Sequence, residues 1–343
     1  MSATTEEAVT APPARPRKRS PLLIALLVVA GIALVIVLPS LMPNNYFRGL
    51  LALTAIYAIY GIGFDVQFGY TGLFNMAQGA FFGIGAYAVA LVSDRLETSN
   101  VLVALPIAIC AGVVIAAILG MIALNATSPP IVFAMISLGL SQILTLIVLN
   151  EDQITMGPAG MAVSPPTLEL GPISLEFSSL ESQFYLGIAA LVITVFFVSR
   201  VLRSNLGSSW LCVRENVGLA RSQGVRPVRA QLYSLLVGAA ITSAAGGLYA
   251  YYIGFLTPVV FALTTLVTAI VIVVVGGSGT IYGPIIGAAL YVIVPELLST
   301  TADLRLLIFG AILCVVMLFM PNGTWPLLVS GVRRLQGRTR GAQ

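Results

Sequence analysis

The segment RVLRSNLGSSWLCVRENVGLARSQGVRPVR, residues 200–229, is the one long polar stretch in the middle of an apolar chain. It carries six arginines and a single acid, Glu215. Because long apolar runs flank it on both sides, it is predicted to be a loop at one face of a membrane. An excess of Lys and Arg in short loops marks the cytoplasmic side. Residues 208–221 contain few helix breakers and predict about three turns of surface helix, which a soluble partner can contact.

The composition places the whole chain in a membrane. Of its 343 residues, 58% are hydrophobic and only 9% are charged, whereas soluble domains carry about 25% charged residues. The three cysteines, Cys110, Cys212 and Cys314, are too far apart in the predicted topology for a disulfide framework or a metal cluster. The chain has no histidine, which removes the commonest metal ligand and general base.

Catalytic motifs are also missing from the sequence. Lys18 is the only lysine and lies near the N-terminus, so a GxxxxGK[ST] phosphate-binding loop cannot form. There is no GxSxG or HExxH motif either. We therefore expect a protein that is not an enzyme and holds no cofactor or metal ion. The basic residues are interpreted as topology signals that also attract lipid headgroups, and no nucleic-acid partner is expected.

Ten apolar runs have roughly the 17–25 residues that a membrane span requires. The sequence thus predicts an all-α polytopic membrane protein with about ten transmembrane helices. The first run is too long for a signal-peptide core and is predicted to stay uncleaved. The predicted domains are a disordered cytoplasmic tail (1–20), a transmembrane domain (21–325) and a basic cytoplasmic tail (326–343). The runs cover residues 22–41, 47–64, 71–92, 101–124, 131–149, 184–199, 231–252, 259–275, 281–298 and 304–320.

The charge distribution agrees with this number of spans. Four basic residues lie between positions 15 and 19, six in the 200–229 loop and four between 333 and 340. Ten spans put these three groups on one side of the membrane. Residues 150–183 then lie outside, and they contain five acids and no Lys or Arg. Because this segment also has four prolines and three glycines, it is predicted to be an ordered external loop with short elements.

Two glycine-rich breaks interrupt the apolar runs, at residues 69–72 and 276–280. Irregular backbone at membrane depth persists only where it is buried in protein or lines a wet cavity; the alternative is a tight turn between two spans. Asn75 and Gln78 near the first break are the polar residues best placed to contact a solute, although a hydrogen-bonded pair between helices fits equally well. Asp65 and Glu296 are the acids in or beside spans, neither at the predicted midplane.

Several stretches resemble the permease subunits of branched-chain amino acid ABC importers. They are GFDVQFGYTGLFNMAQGAFFGIGAYAVALV (63–92), VRENVGLARSQGV (213–225), VVGGSGTIYGPIIGAALYVIVPELL (274–298) and RLLIFGAILCVVMLFMPNG (305–323). The likeness covers most of the chain after the first span, and the Arg-Glu-Asn motif favours the M-type paralogue over the H-type. The chain departs from the family at Gly207-Ser208-Ser209, where Gly-Arg-Ala is frequent, and at Gln78, where histidine is common.

The resemblance implies a fold like that of the vitamin B12-type importer permeases, in a bacterial plasma membrane with both termini cytoplasmic. It also implies an H-type second permease, two cytoplasmic ATPase subunits and an extracytoplasmic solute-binding protein. Relatives carry leucine-like amino acids, urea, short amides or aromatic acids, and the sequence does not choose among them. The implied ATPase-coupling residues are Arg214, Glu215, Asn216 and Gly224, and those expected along the translocation path are Tyr70, Asn75, Gln78, Gly276 and Gly277.

Two other hypotheses follow from the residues. A secondary carrier coupled to ions or protons would use Asp65 or Glu296, because ionisable groups in a bundle are costly and mark function where they occur. Its uptake would collapse with the proton gradient and survive depletion of ATP. A scaffold that binds a cytoplasmic partner through the arginine-rich loop is the third hypothesis.

Overall fold

A computed structural model describes residues 45–124, 130–170, 173–177, 179–297, 310 and 323–324. The predicted span at 22–41 and both predicted tails lie outside the described residues, as does the span at 304–320 apart from Gly310. All elements below belong to one unit that begins at Asn45.

The described residues are mainly helical. The helices are α1 (Asn45–Thr71), α2 (Gln78–Arg95), α3 (Val101–Ala123), α4 (Pro130–Asn150), α5 (Asp152–Thr155), α6 (Leu180–Leu202), α7 (Asn205–Glu215), α8 (Val217–Ser222), α9 (Pro227–Ile253), α10 (Leu263–Gly276) and α11 (Gly283–Leu297). The strands are β1 (Met161–Ala162), β2 (Thr167–Leu170), β3 (Ile173–Glu176) and β4 (Phe255–Leu256), and 3₁₀ turns occur at Gly157–Ala159 and Pro258–Phe261.

Five of the described helices are long and apolar enough to cross a membrane: α1, α3, α4, α6 and α9. Two shorter apolar helices, α10 and α11, accompany them. The chain is therefore a polytopic helical membrane protein.

The first glycine-rich break lies at the end of a helix. The sequence prediction that the span ends at residue 64 is wrong, because α1 continues to Thr71. Gly72 then adopts a φ of 72°, which a residue without a Cβ tolerates best. The backbone N–H groups of Gly72 and Leu73 donate to the carbonyl oxygens of Phe68 and Gln67, at 3.1 and 2.9 Å. These hydrogen bonds satisfy carbonyl groups that the end of the helix leaves open.

Helix α9 lies at the centre of the bundle and packs against α1, α2 and α3. Small residues permit the close approach of α9 and α2, since a Cβ at Gly85 would overlap the backbone of Ser243 and one at Gly246 would overlap the Phe82 carbonyl group. The Ser243 hydroxyl donates to the Phe81 carbonyl oxygen at 3.0 Å. Small side chains and interhelical hydrogen bonds hold membrane helices together where lipid provides no hydrophobic driving force.

Residues 150–183 form an ordered loop with short elements, as the sequence predicts, although Gly171, Pro172 and Ser178 lie outside the described residues. Strands β2 and β3 pair as an antiparallel hairpin. Strand β1 pairs antiparallel with β4, which follows α9. The Val163 N–H also donates to the Gly254 carbonyl oxygen at 2.9 Å, so the loop is tied to the α9–α10 connection at the end of the bundle opposite to α7.

Candidate functional site

The arginine-rich loop folds into two short helices, α7 and α8. The prediction of one continuous helix over residues 208–221 is wrong, because Asn216 interrupts it. Asn216 adopts extended backbone, with φ −161° and ψ 115°. Its side-chain oxygen accepts from the N–H groups of Gly218 and Leu219, at 2.8 and 3.1 Å. Asparagine favours this N-cap geometry because its side chain replaces the missing hydrogen-bond acceptors of the first turn.

One face of α7 and α8 is anchored to the bundle. Trp210 is 0% exposed and Val213 3%, and both belong to a hydrophobic cluster that includes residues of α1, α9 and α10. Ala220 of α8 is buried in the same cluster. Gly207 and Trp210 are three residues apart, as are Trp210 and Val213, so these residues lie on one helical face. The anchoring fixes the position of both helices relative to the membrane-spanning bundle.

Three apolar residues of these helices are exposed. Leu219 is 58% exposed, Leu211 44% and Val217 40%. Isolated exposed apolar residues are normal, but these three share two adjoining short helices that also carry exposed arginines. We call the exposed surface of α7 and α8 that carries Leu211, Val217 and Leu219 the leucine face. Its composition suits a protein partner, because apolar residues dominate the centre of an interface and charged residues its rim.

The four predicted coupling residues differ in environment. Arg214 is exposed, and its side chain lies against the glycine-rich breaks rather than pointing away from the bundle. Glu215 is exposed at the end of α7. Asn216 caps α8. Gly224 has a φ of 80° in the turn between α8 and α9, and its N–H donates to the Arg221 carbonyl oxygen at 3.0 Å. The structure thus gives Asn216 and Gly224 local conformational roles.

Asp65 of α1 connects the arginine-rich loop to the second glycine-rich break. The side chain is 1% exposed, and its Oδ1 and Oδ2 atoms accept from the Gly279 N–H at 2.9 and 3.2 Å. The carboxylate lies within electrostatic reach of the Arg214 guanidinium group. A Cβ at Gly279 would lie 2.6 Å from Arg214 Nη1, so the glycine leaves room for the arginine. We call Asp65, Arg214 and Gly279 the Asp65 cluster.

The second glycine-rich break is ordered and partly buried. Helix α10 ends at Gly276, and the connection to α11 contains Gly277 at φ 115° and Gly279 at φ 75°. The Thr280 hydroxyl donates to the Gly277 carbonyl oxygen at 2.8 Å. The Thr324 hydroxyl donates to the Val275 carbonyl oxygen at 3.0 Å. Gly276 and Gly277, predicted to lie along the translocation path, are both buried in this connection.

The other predicted path residues lie inside the bundle near the end of α1. Asn75 and Gln78 are 0% exposed, and Tyr70 is 8% exposed. The Asn75 Nδ2 donates to Gln67 Oε1 at 2.8 Å, and Gln78 Nε2 donates to the Thr242 hydroxyl of α9. Among the described residues, the Gln67 Nε2 and Gln78 Oε1 atoms have no hydrogen-bond partner. The sequence left open whether Asn75 and Gln78 contact a solute or form hydrogen bonds between helices. In this conformation the Gln78 side chain forms a hydrogen bond from α2 to α9.

Asn216 offers a direct test of the local fold of the loop. Replacing it with alanine is expected to destabilise α8 by about 1 kcal/mol, because two backbone donors lose their acceptor. Amide hydrogen exchange, measured by mass spectrometry on the purified protein, should then accelerate roughly fivefold in the peptide that contains Gly218 and Leu219. Asn216→Asp keeps an N-cap oxygen and should exchange at nearly the original rate. Equal exchange in all three proteins would contradict the capping role.

The fold and site together define a class of protein. It is a polytopic membrane helix bundle with two short helices fixed at one end, and no group of three metal-ligating side chains occurs among the described residues. Residues 46–320 match the family described as "Branched-chain amino acid transport system / permease component". The chain belongs to this family of membrane transport permeases, which confirms the resemblance seen in the sequence.

Curated relatives agree with the family. The chain is 29% identical to the high-affinity branched-chain amino acid transport system permease protein LivM of Salmonella typhimurium, over 85% of this chain and 72% of that protein. The identity and coverage are the same for LivM of Escherichia coli. The chain is 24% identical to the LivH permease of Escherichia coli, over 82% of this chain and 94% of that protein. No solved structure matches significantly.

Proposed function

We propose that the chain is an M-type permease subunit of an ATP-binding-cassette importer for branched-chain amino acids. Its relatives at 29% identity carry the name of a high-affinity branched-chain amino acid transport system. In this proposal the chain has about ten spans in a fold like that of the vitamin B12-type importers. An H-type permease completes the translocation path, and an extracytoplasmic protein delivers the solute. The presence of both LivM and LivH among the relatives supports such a pair.

The observation that carries the proposal is the arrangement of α7 and α8. Trp210 and Val213 bury one face of α7 in the bundle, whereas the leucine face stays exposed. A partner that moves this surface moves Arg214, which lies against Gly72 just after α1 and against Gly279 in the connection between α10 and α11. ATP hydrolysis would take place on two cytoplasmic partner subunits, since this sequence has no phosphate-binding loop. The proposal places α7, α8 and both termini on the cytoplasmic side.

The partners are tested by purifying the tagged chain from its native membrane in a gentle detergent. We expect two ATPase chains and a second permease of similar size to copurify, identified by mass spectrometry. A chain that emerges alone across several detergents would contradict the proposal.

The energy source is tested by uptake of labelled leucine into intact cells. Uptake driven by ATPase partners should stop when ATP is depleted and continue when the proton gradient is dissipated. The reverse pattern would favour a secondary carrier. Asp65 is one of the two acids considered for such a carrier. In this conformation its carboxylate accepts a hydrogen bond from the Gly279 N–H, which favours a role in joining α1 to the α10–α11 connection over a role in ion coupling.

A further inference from the structure

A groove of about 650 Å³ runs between α2 and α3 at the end of the bundle opposite to α7. The short helix α5 closes it at the level of the 150–183 loop. Among the described residues that line the groove, Arg95 carries the one charge and the others are apolar. The groove has no part in the proposed function.

The shape of the groove follows from the helical period. Four lining residues of α2 are spaced at i, i+3, i+4 and i+7, so they form one stripe along the helix. They are Ala88, Leu91, Val92 and Arg95. Seven helical steps make the stripe about 10 Å long. On α3, Ile107 and Ala111 are four residues apart and form the facing wall.

The apolar part of the groove faces the surroundings of the bundle. Ile107 is 40% exposed and Ile154 of α5 is 50% exposed. Helix α3 is long and apolar enough to cross a membrane, so these side chains lie where lipid tails surround the protein. Lipid tails are as apolar as leucine. An acyl chain therefore suits this part of the groove.

The polar end of the groove is the Arg95 guanidinium group at the end of α2. Its side chain is 59% exposed, and its Nη2 donates to the Gln153 carbonyl oxygen at 2.8 Å. This hydrogen bond holds the group at the groove and uses one of its five N–H donors. A guanidinium group binds a phosphate through two parallel hydrogen bonds. The groove thus has an apolar body and a phosphate-binding end.

Acidic residues near Arg95 restrict the headgroup. Asp94 Oδ2 lies 3.7 Å from Arg95 Nε, and Asp152, which is exposed, directly precedes Gln153. Carboxylates this close to the phosphate position repel a purely anionic headgroup and attract a cation. A headgroup that carries both a phosphate and an ammonium group complements these charges.

We propose that this groove binds a zwitterionic phospholipid with an ammonium headgroup, phosphatidylethanolamine. One acyl chain lies between α2 and α3, the phosphate binds Arg95, and the ammonium group lies beside Asp94. This inference goes beyond the proposed function and requires only that the chain spans a membrane. Because Arg95 also bonds to Gln153, the bound lipid joins α2 and α3 to the ordered loop.

The test is photo-cross-linking of the full-length chain, with the chains that copurify, in proteoliposomes of phosphatidylethanolamine and phosphatidylglycerol. A trace of either lipid carries a diazirine on one acyl chain, and mass spectrometry locates the cross-links. We expect the phosphatidylethanolamine probe to label residues 88–111 roughly fivefold more than the phosphatidylglycerol probe, as for one charged contact at a headgroup. Labelling of α6 is the internal reference, because Ile193 is 67% exposed there, and it should not depend on the headgroup.

Two variants test the two ends of the groove. Arg95→Gln should remove the preference for phosphatidylethanolamine, and Arg48→Gln, which removes a charge paired with Glu181 at 2.8 Å, should leave it. Ala111→Phe fills the groove and should lower labelling of residues 88–111 roughly fivefold. Its matched control is Ala117→Phe, a partly buried alanine of the same helix outside the groove, which should not change the labelling.

Three results would overturn the proposal. Equal labelling by both probes would show that the groove holds surrounding lipid without selection. Labelling that survives both Arg95→Gln and Ala111→Phe would place the lipid elsewhere. No labelling of residues 88–111, together with labelling of α6, would show that another protein chain covers the groove.

Thermal unfolding gives a measure without a cross-linker. A ligand that binds only the folded chain raises its Tm. Phosphatidylethanolamine added to the detergent-purified protein should raise the Tm of the wild-type and Arg48→Gln proteins more than that of Arg95→Gln. An equal rise in all three would overturn the role of Arg95.

Discussion

Replacing Asp65 with alanine is expected to reduce ATP-driven leucine uptake at least tenfold. The substitution removes the acceptor of the Gly279 N–H. An unsatisfied buried donor costs about 1–3 kcal/mol. The connection between α10 and α11 then loses its link to α1, and Arg214 loses the nearby carboxylate. Transport and ATP hydrolysis should become uncoupled, so ATPase activity of the purified complex should respond less to solute.

Two variants distinguish the contribution of the hydrogen bond between Gly279 and Asp65 from that of the charge interaction between Asp65 and Arg214. Asp65→Asn keeps one oxygen that can accept from Gly279 and should retain more uptake than the alanine variant. Arg214→Gln leaves the buried carboxylate without its cation. Because Arg214 is partly in solvent, the interaction should amount to only about 1 kcal/mol in a double-mutant cycle measured by thermal unfolding in detergent. Full uptake by Asp65→Ala at normal expression would show that the Asp65 cluster does not transmit movement.

Leu219→Glu is the second change with a large expected effect. Leu219 is 58% exposed on the leucine face, and a carboxylate there would be desolvated by the docking of the proposed ATPase partner. A few residues near the centre of an interface each contribute about 2 kcal/mol or more. We expect the ATPase chains to be lost during purification and leucine uptake to fall more than tenfold. Pull-down with the tagged permease measures the loss of the ATPase chains, and an uptake assay in cells measures the fall in leucine transport.

The matched control for this variant is Leu96→Glu. Leu96 is also 58% exposed, but it lies after α2, at the end of the bundle opposite to α7. Both substitutions add one carboxylate to an exposed position and should affect folding little. If both variants lose the ATPase chains equally, or if neither does, the leucine face is not the docking surface.

One feature of the site was accessible in the sequence and was missed. Asn216 lies inside the stretch predicted as one helix, and asparagine is among the preferred N-cap residues. As a helix-start signal, Asn216 divides the segment into two helices. Gly72, which ends α1, is the same kind of local signal, because glycine is favoured just after a helix.

The amino-acid sequence alone predicts the membrane class, the family and the five long apolar helices among the described residues, because these depend on composition and on local runs of residues. It also located the arginine-rich loop and the ordered loop at 150–183. Which residues act together depends on how the helices pack. Asp65 and Gly279 are 214 positions apart in the sequence but share a hydrogen bond. The ring centroids of Tyr57 and Tyr291 are 5.7 Å apart. Such contacts have no period or spacing in the chain, since packing between separate helices creates them.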